Sequence, residues 1–507
     1  MTSHDEDSEE TADGDAPAAG TSGADAEGVV RRGRFSGGPA RAFLSSLAAD
    51  ERIFAADLAV DRAHVVMLAE QEIVDDDDAA AILRALAEVE SAGHGALSGG
   101  EDVHEAIETA VIDRVGPAGG RMHTARSRND EVAACLRYRL REDLLTAIET
   151  VVGARETLLD VAAAETETIM PGYTHRQPAQ PTTVAHWVCS YESALERDTA
   201  RLLDACDRVN RSPLGAAAFA GTGFDVDRGR TADLLGFDGL VENATDAVST
   251  RDFLVETTAG MAALATTLSG LSEDVVEFAS DGYVDLADDY ASTSSIMPQK
   301  KNPDTLELVR SRAGDATAGL SGLLTTLSGL PRAYNRDLQR VDGHAWAAID
   351  GVTEAVPVAV GAVATAEWPA EALADAAGEG FATATGVADR LAAAGVPFRT
   401  AHEVVAHASG AAADGNPGVD DLDEACREVL GEPLAAVVDV AGVEGALDPA
   451  ANVAMRDSRG GPAPAAVEAH LDRAREGVAT HREALATRRQ RIDAATETRE
   501  REVASYV

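Results

Sequence analysis

Apolar residues recur at steps of three and four along several stretches of the chain. Met261, Leu264, Leu268, Leu271, Val275 and Phe278 follow this spacing, which gathers them on one narrow stripe of an α-helix. Leu306, Val309, Ala313, Ala316, Leu320, Leu323, Leu327 and Leu330 repeat it, and Val132, Leu136, Leu140, Leu144 and Ile148 do so less strictly. Long helices with seams of this kind bury them against one another, so a bundle is expected. Strict apolar and polar alternation is nearly absent and aromatic residues make up only 4%, so little sheet is predicted. The fold class is all-α.

Breaks in the pattern divide the chain. A Gly-rich stretch from Gly116 to Gly120 precedes the first long helix, and Trp368-Pro369 to Gly380 ends the central block. The expected organisation is a disordered acidic tail over 1–28, an N-terminal helical domain over 29–126, a central long-helix bundle over 127–368 and a C-terminal helical domain over 369–507. The first 28 residues lack the apolar core of a signal peptide, and no segment reaches about 18 uninterrupted apolar residues. A cytoplasmic protein without a membrane span is expected.

Charge narrows the partners. The 87 acidic residues against 43 basic ones leave a net charge of −44, a field that repels nucleic acid and anionic membranes. Acidic runs such as Asp75 to Asp78 repel one another less where concentrated salt shortens the Debye length, and the composition reads as adaptation to salt. Nearly all the basic residues are arginine; the only lysines are the adjacent Lys300 and Lys301. Cys135, Cys189, Cys206 and Cys426 are scattered without ligand spacing, so reduced thiols are expected and neither a metal nor a cofactor is implied.

Three polar segments interrupt the helices: His123-Thr124-Ala125-Arg126-Ser127-Arg128-Asn129-Asp130, then Gly172-Tyr173-Thr174-His175-Arg176-Gln177-Pro178, then Ser292 to Pro303. Each is compatible with a capped helix end; Asn302 before Pro303 and Asp304 fits an N-cap followed by Pro at the first helical position. Capping does not explain why Ser294, Ser295, Lys300, Lys301 and Asn302 crowd together ahead of a helix. His64, His186, His344 and His402 stand alone on helical stretches and suit structural or surface roles.

The third segment, Thr293-Ser294-Ser295-Ile296-Met297-Pro298-Gln299-Lys300-Lys301-Asn302, resembles the signature loop of the fumarase, aspartase and argininosuccinate lyase superfamily, with Thr293 where most members have Gly. The other two resemble boxes of the argininosuccinate lyases, with Ala125 in place of Gly. Further matches are Arg34-Phe35-Ser36-Gly37, Glu101-Asp102-Val103-His104, Pro213-Leu214-Gly215, Asp225-Val226-Asp227-Arg228, Tyr334 to Gln339 and Gly395 to Arg399. One departure is Asp342, where the family usually has a substrate-contacting Lys; Arg340 is the nearest replacement.

The resemblance implies β-elimination of argininosuccinate to arginine and fumarate. A proton leaves a carbon beside a carboxylate, so stabilising the resulting dianion is the main task. Ser294 is the carbon base, a role a serine can fill only if its alkoxide is stabilised and water is excluded. His175 assists proton transfer, by protonating the departing guanidino nitrogen or by relaying a proton through water, with Glu307 setting its tautomer. Lys300 and Asn302 stabilise the charge. Ser46, Asp102, His104, Ser127, Asn129, Thr174, Tyr334 and Gln339 are the implied substrate contacts, and Arg126 is a candidate for bidentate pairing with a carboxylate. The family also implies a homotetramer whose sites are shared between chains. Helix length alone points the same way: an unbroken helix over 130–165 spans roughly 50 Å at 1.5 Å per residue, which keeps Asn129 and His175 of one chain apart.

Two alternatives stay open at this point. The signature loop is common to sister lyases acting on adenylosuccinate, fumarate, aspartate or a carboxymuconate, against which the first two boxes and Tyr334 to Gln339 weigh. An inactive structural protein on the same fold is the other, and retention of His175 and Ser294 weighs against it.

Overall fold

The computed structural model describes residues 39–412 and 415–507; the acidic stretch 1–28 and the Arg34 to Gly37 run lie outside the described residues. After a short helix (Pro39–Leu44) and a 3-10 turn (Ala49–Ile53) come three longer helices: α1 (Phe54–Glu70), α2 (Asp76–Ala92) and α3 (Val103–Val115). The acidic run at Asp75 has a local use here. Asp75 accepts from the amide of Asp78 as N-cap, and Asp76, Asp77 and Asp78 fill the first turn of α2, where negative charge favours the exposed N–H groups and the positive end of the helix dipole.

The body is a bundle of five long helices: α4 (Arg128–Ala164), α5 (Val184–Val209), α6 (Asp252–Asp281), α7 (Asp304–Leu327) and α8 (Asp342–Ala364). A capping box starts α4: the Ser127 hydroxyl accepts from the helix amides while Asp130 accepts from the Ser127 amide. Helix α6 packs against α5, α7 and α8, and α8 also packs against α4. The seams read from the sequence are these contacts: Met261, Leu264, Leu268, Leu271, Val275 and Phe278 are buried, as are Leu136, Leu140, Leu144 and Ile148. The seam of α7 stops at Leu327, because Ser328 and Gly329, the latter at φ +79°, lead the chain away before Leu330.

Among the described residues the β-strands are confined to two short ribbons, and each carries one of the polar segments. Strand β1 (Ile169–Thr174) pairs with β2 (Gln177–Thr183), and β3 (Ser292–Thr293) pairs with β4 (Lys301–Asn302), both antiparallel. Asn302 is therefore a strand residue and makes no side-chain cap on α7. The stretch Arg336–Ala364, which contains α8, is long and apolar enough to cross a membrane by composition alone. It buries Trp346, Ile349, Val352, Val356 and Val360 inside the bundle, the behaviour of a core helix.

Beyond Trp368 the packing differs from the single unit expected over 369–507. Phe381, Val387, Leu391, Val404, Leu422 and Val443 form a small core of their own. The final helix, α9 (Pro464–Tyr506), returns along α4 and α5 and buries Val467, Leu471, Val478, Leu485 and Ile492 in the main core.

Candidate active site

A cavity of about 190 Å³ opens where the N-terminal helices meet one end of the bundle. Six of the residues named from sequence line it: Ser46, Asp102, His104, Asn129, Tyr334 and Gln339. Ser46 donates to Asp50 at 2.8 Å, Gln339 donates to the Leu44 carbonyl at 3.0 Å and Asn129 donates to the Ala218 carbonyl at 2.9 Å, so their side chains are held in place. Asp102 caps α3 through the Glu105 amide and accepts from Arg128 at 3.3 Å.

The cavity also contains residues that sequence reasoning did not single out. Arg128, Arg251 and Arg336 line it together with Asp50. Arg128 and Arg336 lay inside quoted motifs, whereas Arg251, just ahead of α6, gave no signal. Burial pulls the Arg251 guanidinium down to about 10. Asp342 does line the cavity, with burial raising its carboxyl. Arg340 is exposed and outside it, so it does not take the place of a lysine at 342; the cavity's cations are the three other arginines and His104.

Arg126 is not among them. Its side chain is 1% exposed and is held by Asp61 at 2.6 Å and Glu131 at 2.8 Å, so its donors are turned into the protein and away from a ligand. This corrects the expectation that it pairs a substrate carboxylate. Beside it, His104 Nδ1 donates to Asp57 at 2.8 Å, and Glu131 lies 3.9 Å away. Burial alone would lower the His104 pKa; Asp57 and Glu131 overcome it and raise the value to about 10. His104 thus lines the cavity beside a buried layer of acids: against burial, His104 and Arg126 hold the Asp57 carboxyl below its ordinary value, while burial raises that of Glu131. Ser127 does not line the cavity, and its hydroxyl is spent on the cap of α4.

Thr174 and His175 lie elsewhere. Helix α4 is 37 residues long, about 55 Å at 1.5 Å per residue, with Asn129 at its start and the β1–β2 hairpin beyond its end. His175 and Arg176 form the two-residue turn, both at positive φ (56° and 59°), the backbone of a type I′ hairpin that non-glycine residues seldom adopt. The Tyr173 hydroxyl bonds the Tyr283 hydroxyl at 3.0 Å, and Arg176 pairs with Glu277, which ties the hairpin to the C-terminal end of α6. Thr174 and His175 are exposed.

The β3–β4 hairpin leaves the same end of the bundle, between α6 and α7. The Ser294 hydroxyl oxygen accepts from the amides of Met297 at 3.1 Å and Ile296 at 3.4 Å. Lys300 is exposed, its carbonyl accepting from the Ser294 amide at 3.2 Å, and Asn302 is half-buried at the base. Among the described residues no hydrogen bond or ion pair joins His175 to Ser294 or to Glu307 of the same chain. One chain therefore presents a cavity at one end of its bundle and two chemically equipped hairpins at the other.

A five-helix bundle with a polar cavity at one end and a Ser-Ser-x-Met-Pro-x-Lys-x-Asn hairpin at the other defines a helical lyase. A family model described as lyase matches residues 41–317, and one described as argininosuccinate lyase C-terminal matches residues 381–454. The chain is 70% identical over 483 residues to the argininosuccinate lyase of Haloarcula marismortui, covering 95% of this chain and 97% of that one. It is 67% identical over 478 residues to that of Natronomonas pharaonis, with coverages of 94% and 97%. A crystal structure of EDDS lyase in complex with formate superposes with a TM-score of 0.82 at 34% identity, over 93% of this chain and 96% of that one. The chain belongs to the argininosuccinate lyase family and is a carbon–nitrogen lyase.

Proposed function

We propose that this enzyme cleaves argininosuccinate to arginine and fumarate as a step of arginine biosynthesis, in the cytoplasm of a salt-adapted cell, in a homotetramer whose active sites are shared between chains. The observation that carries the assembly is the division of the site: Asn129 and the cavity sit at one end of α4, and the His175 and Ser294 hairpins sit at the other. An antiparallel neighbour brings the hairpins of other copies to this chain's cavity.

In such a site the cavity cations hold the substrate carboxylates and the acids Asp50 and Asp102 suit its guanidinium. Ser294 takes the proton from the carbon beside a carboxylate. The electron pair moves into that carboxylate, and its return forms the carbon–carbon double bond as the bond to the guanidino nitrogen breaks. The amides of Ile296 and Met297, aimed at Ser294 Oγ, are suited to stabilising its alkoxide, and Lys300 and Asn302 to stabilising the dianion. His175 supplies a proton to the leaving nitrogen. Glu307, in the first turn of α7, is suited to setting the tautomer of a His175 contributed by another chain. The relatives from halophilic archaea and the net charge of −44 support salt adaptation.

The test is to add argininosuccinate to the purified enzyme in molar salt and follow the ultraviolet absorbance of fumarate. Release from argininosuccinate and none from adenylosuccinate is expected. Activity on adenylosuccinate alone, or equal rates on both, overturns the assignment.

A further inference from the structure

Of 43 basic residues only Lys300 and Lys301 are lysine. Lys300 has a task in the mechanism above; Lys301 has none there, yet its surroundings are specific. Its Nζ lies 3.0 Å from Asp285 and 3.2 Å from Asp288. Those acids belong to the segment that runs from α6 to the hairpin, and this segment is anchored to the body. Asp285 exchanges two backbone hydrogen bonds with Glu367, each 2.9 Å. Tyr290 sits so close to Gly361 that a Cβ there would come within 2.2 Å of its hydroxyl. On the other strand, Ser292 donates to Asp304 at the start of α7. The base of the hairpin is thus tied by side chains on both strands, while residues 295–300 are exposed.

We infer that Lys301 is a positioning residue: its ammonium, shared by Asp285 and Asp288, fixes how the hairpin bearing Ser294 leaves the helical body. Successive side chains of a strand point to opposite faces, so holding Lys301 toward the two acids turns the adjacent Asn302 the other way. A compact ammonium can serve two carboxylates from different residues without the planar alignment that a guanidinium demands, which suits lysine in a chain that otherwise uses arginine. Exposed ion pairs add little to global stability, so losing this one should spare the fold and loosen the hairpin.

The inference rests on the role given to Ser294 above, and its test separates the two. The assembled enzyme is compared as wild type, Lys301→Met, Lys301→Arg, Asp285→Asn/Asp288→Asn and the triple variant combining Lys301→Met with both acid changes. Hydrogen exchange over 292–302 is read without substrate, and kcat and KM are read with argininosuccinate. Lys301→Met should exchange faster over 294–300 and lose kcat by roughly an order of magnitude, with KM and thermal midpoint little changed. Lys301→Arg should recover part of the loss. The acid pair should reproduce the Lys301→Met defect, and the triple variant should be no worse than either, since all remove one interaction. Wild-type exchange and kcat in Lys301→Met, or losses that multiply in the triple variant, overturn the inference. An inactive wild type would defeat the functional reading instead, and exchange would still decide whether the clamp exists. If Lys301→Met does not assemble, the acid pair variant carries the same comparison.

Discussion

Arg126 and Asp61 face each other at 2.6 Å with both side chains 1% exposed. Glu131 closes the pair from the other side at 2.8 Å, and burial still pushes the Asp61 carboxyl up to about 7. The guanidinium holds together acids that would otherwise repel one another out of water.

Removing it should therefore act on stability. Breaking a buried pair by deleting one partner typically costs about 3–5 kcal/mol, so Arg126→Gln should lower the denaturation midpoint sharply, whatever it does to turnover. Arg128→Gln, in the cavity wall and half-buried, should mainly raise KM. An Arg126→Gln enzyme with the wild-type midpoint and a raised KM would restore it as a substrate contact.

The histidines near this layer should shape stability in opposite directions with pH. His64 Nε2 donates to the Thr124 carbonyl at 2.9 Å, and burial, then Arg126, pull it down to about 3. Below its ordinary pKa near 6.5 the unfolded chain binds a proton that the folded one refuses, so stability should fall from about pH 6.5 toward pH 3, by about 1.4 kcal/mol per unit per group. His123, also pulled to about 3, adds to this limb. His104, raised to about 10, contributes stability that is complete below pH 6.5 and lost as pH rises through 10. His64→Gln should flatten the acid limb of a denaturation profile and leave the alkaline limb alone; an unchanged acid limb would refute the assignment.

What the sequence made legible was what short-range spacing encodes. The seam from Met261 to Phe278 sits at regular steps, and those residues are the core of α6. Helix α9 hid its membership because Leu485 and Ile492 stand seven apart among arginines and glutamates, too sparse a stripe to assign to a partner. The His175 ribbon was missed because its second strand, Gln177–Thr183, carries two prolines and no alternation of apolar with polar residues. Arg126 and Arg128 share one box, and which of them faces the cavity depends on Asp61, far away in sequence.

Within the β3–β4 hairpin the two serines differ. Ser294 Oγ receives two amides, and no hydrogen bond to the Ser295 hydroxyl is found among the described residues. Ser294→Ala should cost roughly 10²–10⁴-fold in kcat, and Ser295→Ala much less. Equal losses would leave the base unidentified.

Salt should stabilise the protein despite its many exposed ion pairs, such as Arg230 with Glu70 and Arg488 with Asp207. Each pair is worth little, whereas a net charge of −44 repels itself over the whole surface until it is screened. The thermal midpoint should rise from dilute buffer to molar salt; a midpoint that stays level contradicts salt adaptation.

The shared site gives the most demanding prediction. His175 and Ser294 lie at the end of the bundle remote from Asn129, and no hydrogen bond joins them within one chain among the described residues. If a complete site takes its cavity, its histidine hairpin and its serine hairpin from three copies, then His175→Ala and Ser294→Ala are separately dead but damage different contributors. Unfolded together in equal amounts and reassembled, each site receives an intact histidine half of the time and an intact serine half of the time, so activity should return to roughly a quarter of wild type. Either variant reassembled alone should stay inactive, and a mixture never unfolded should gain only as fast as subunits exchange. Hybrids shown to form, by a tag on one variant, and yet without activity would mean that both residues come from one chain. An active monomer would remove the need for a neighbour altogether.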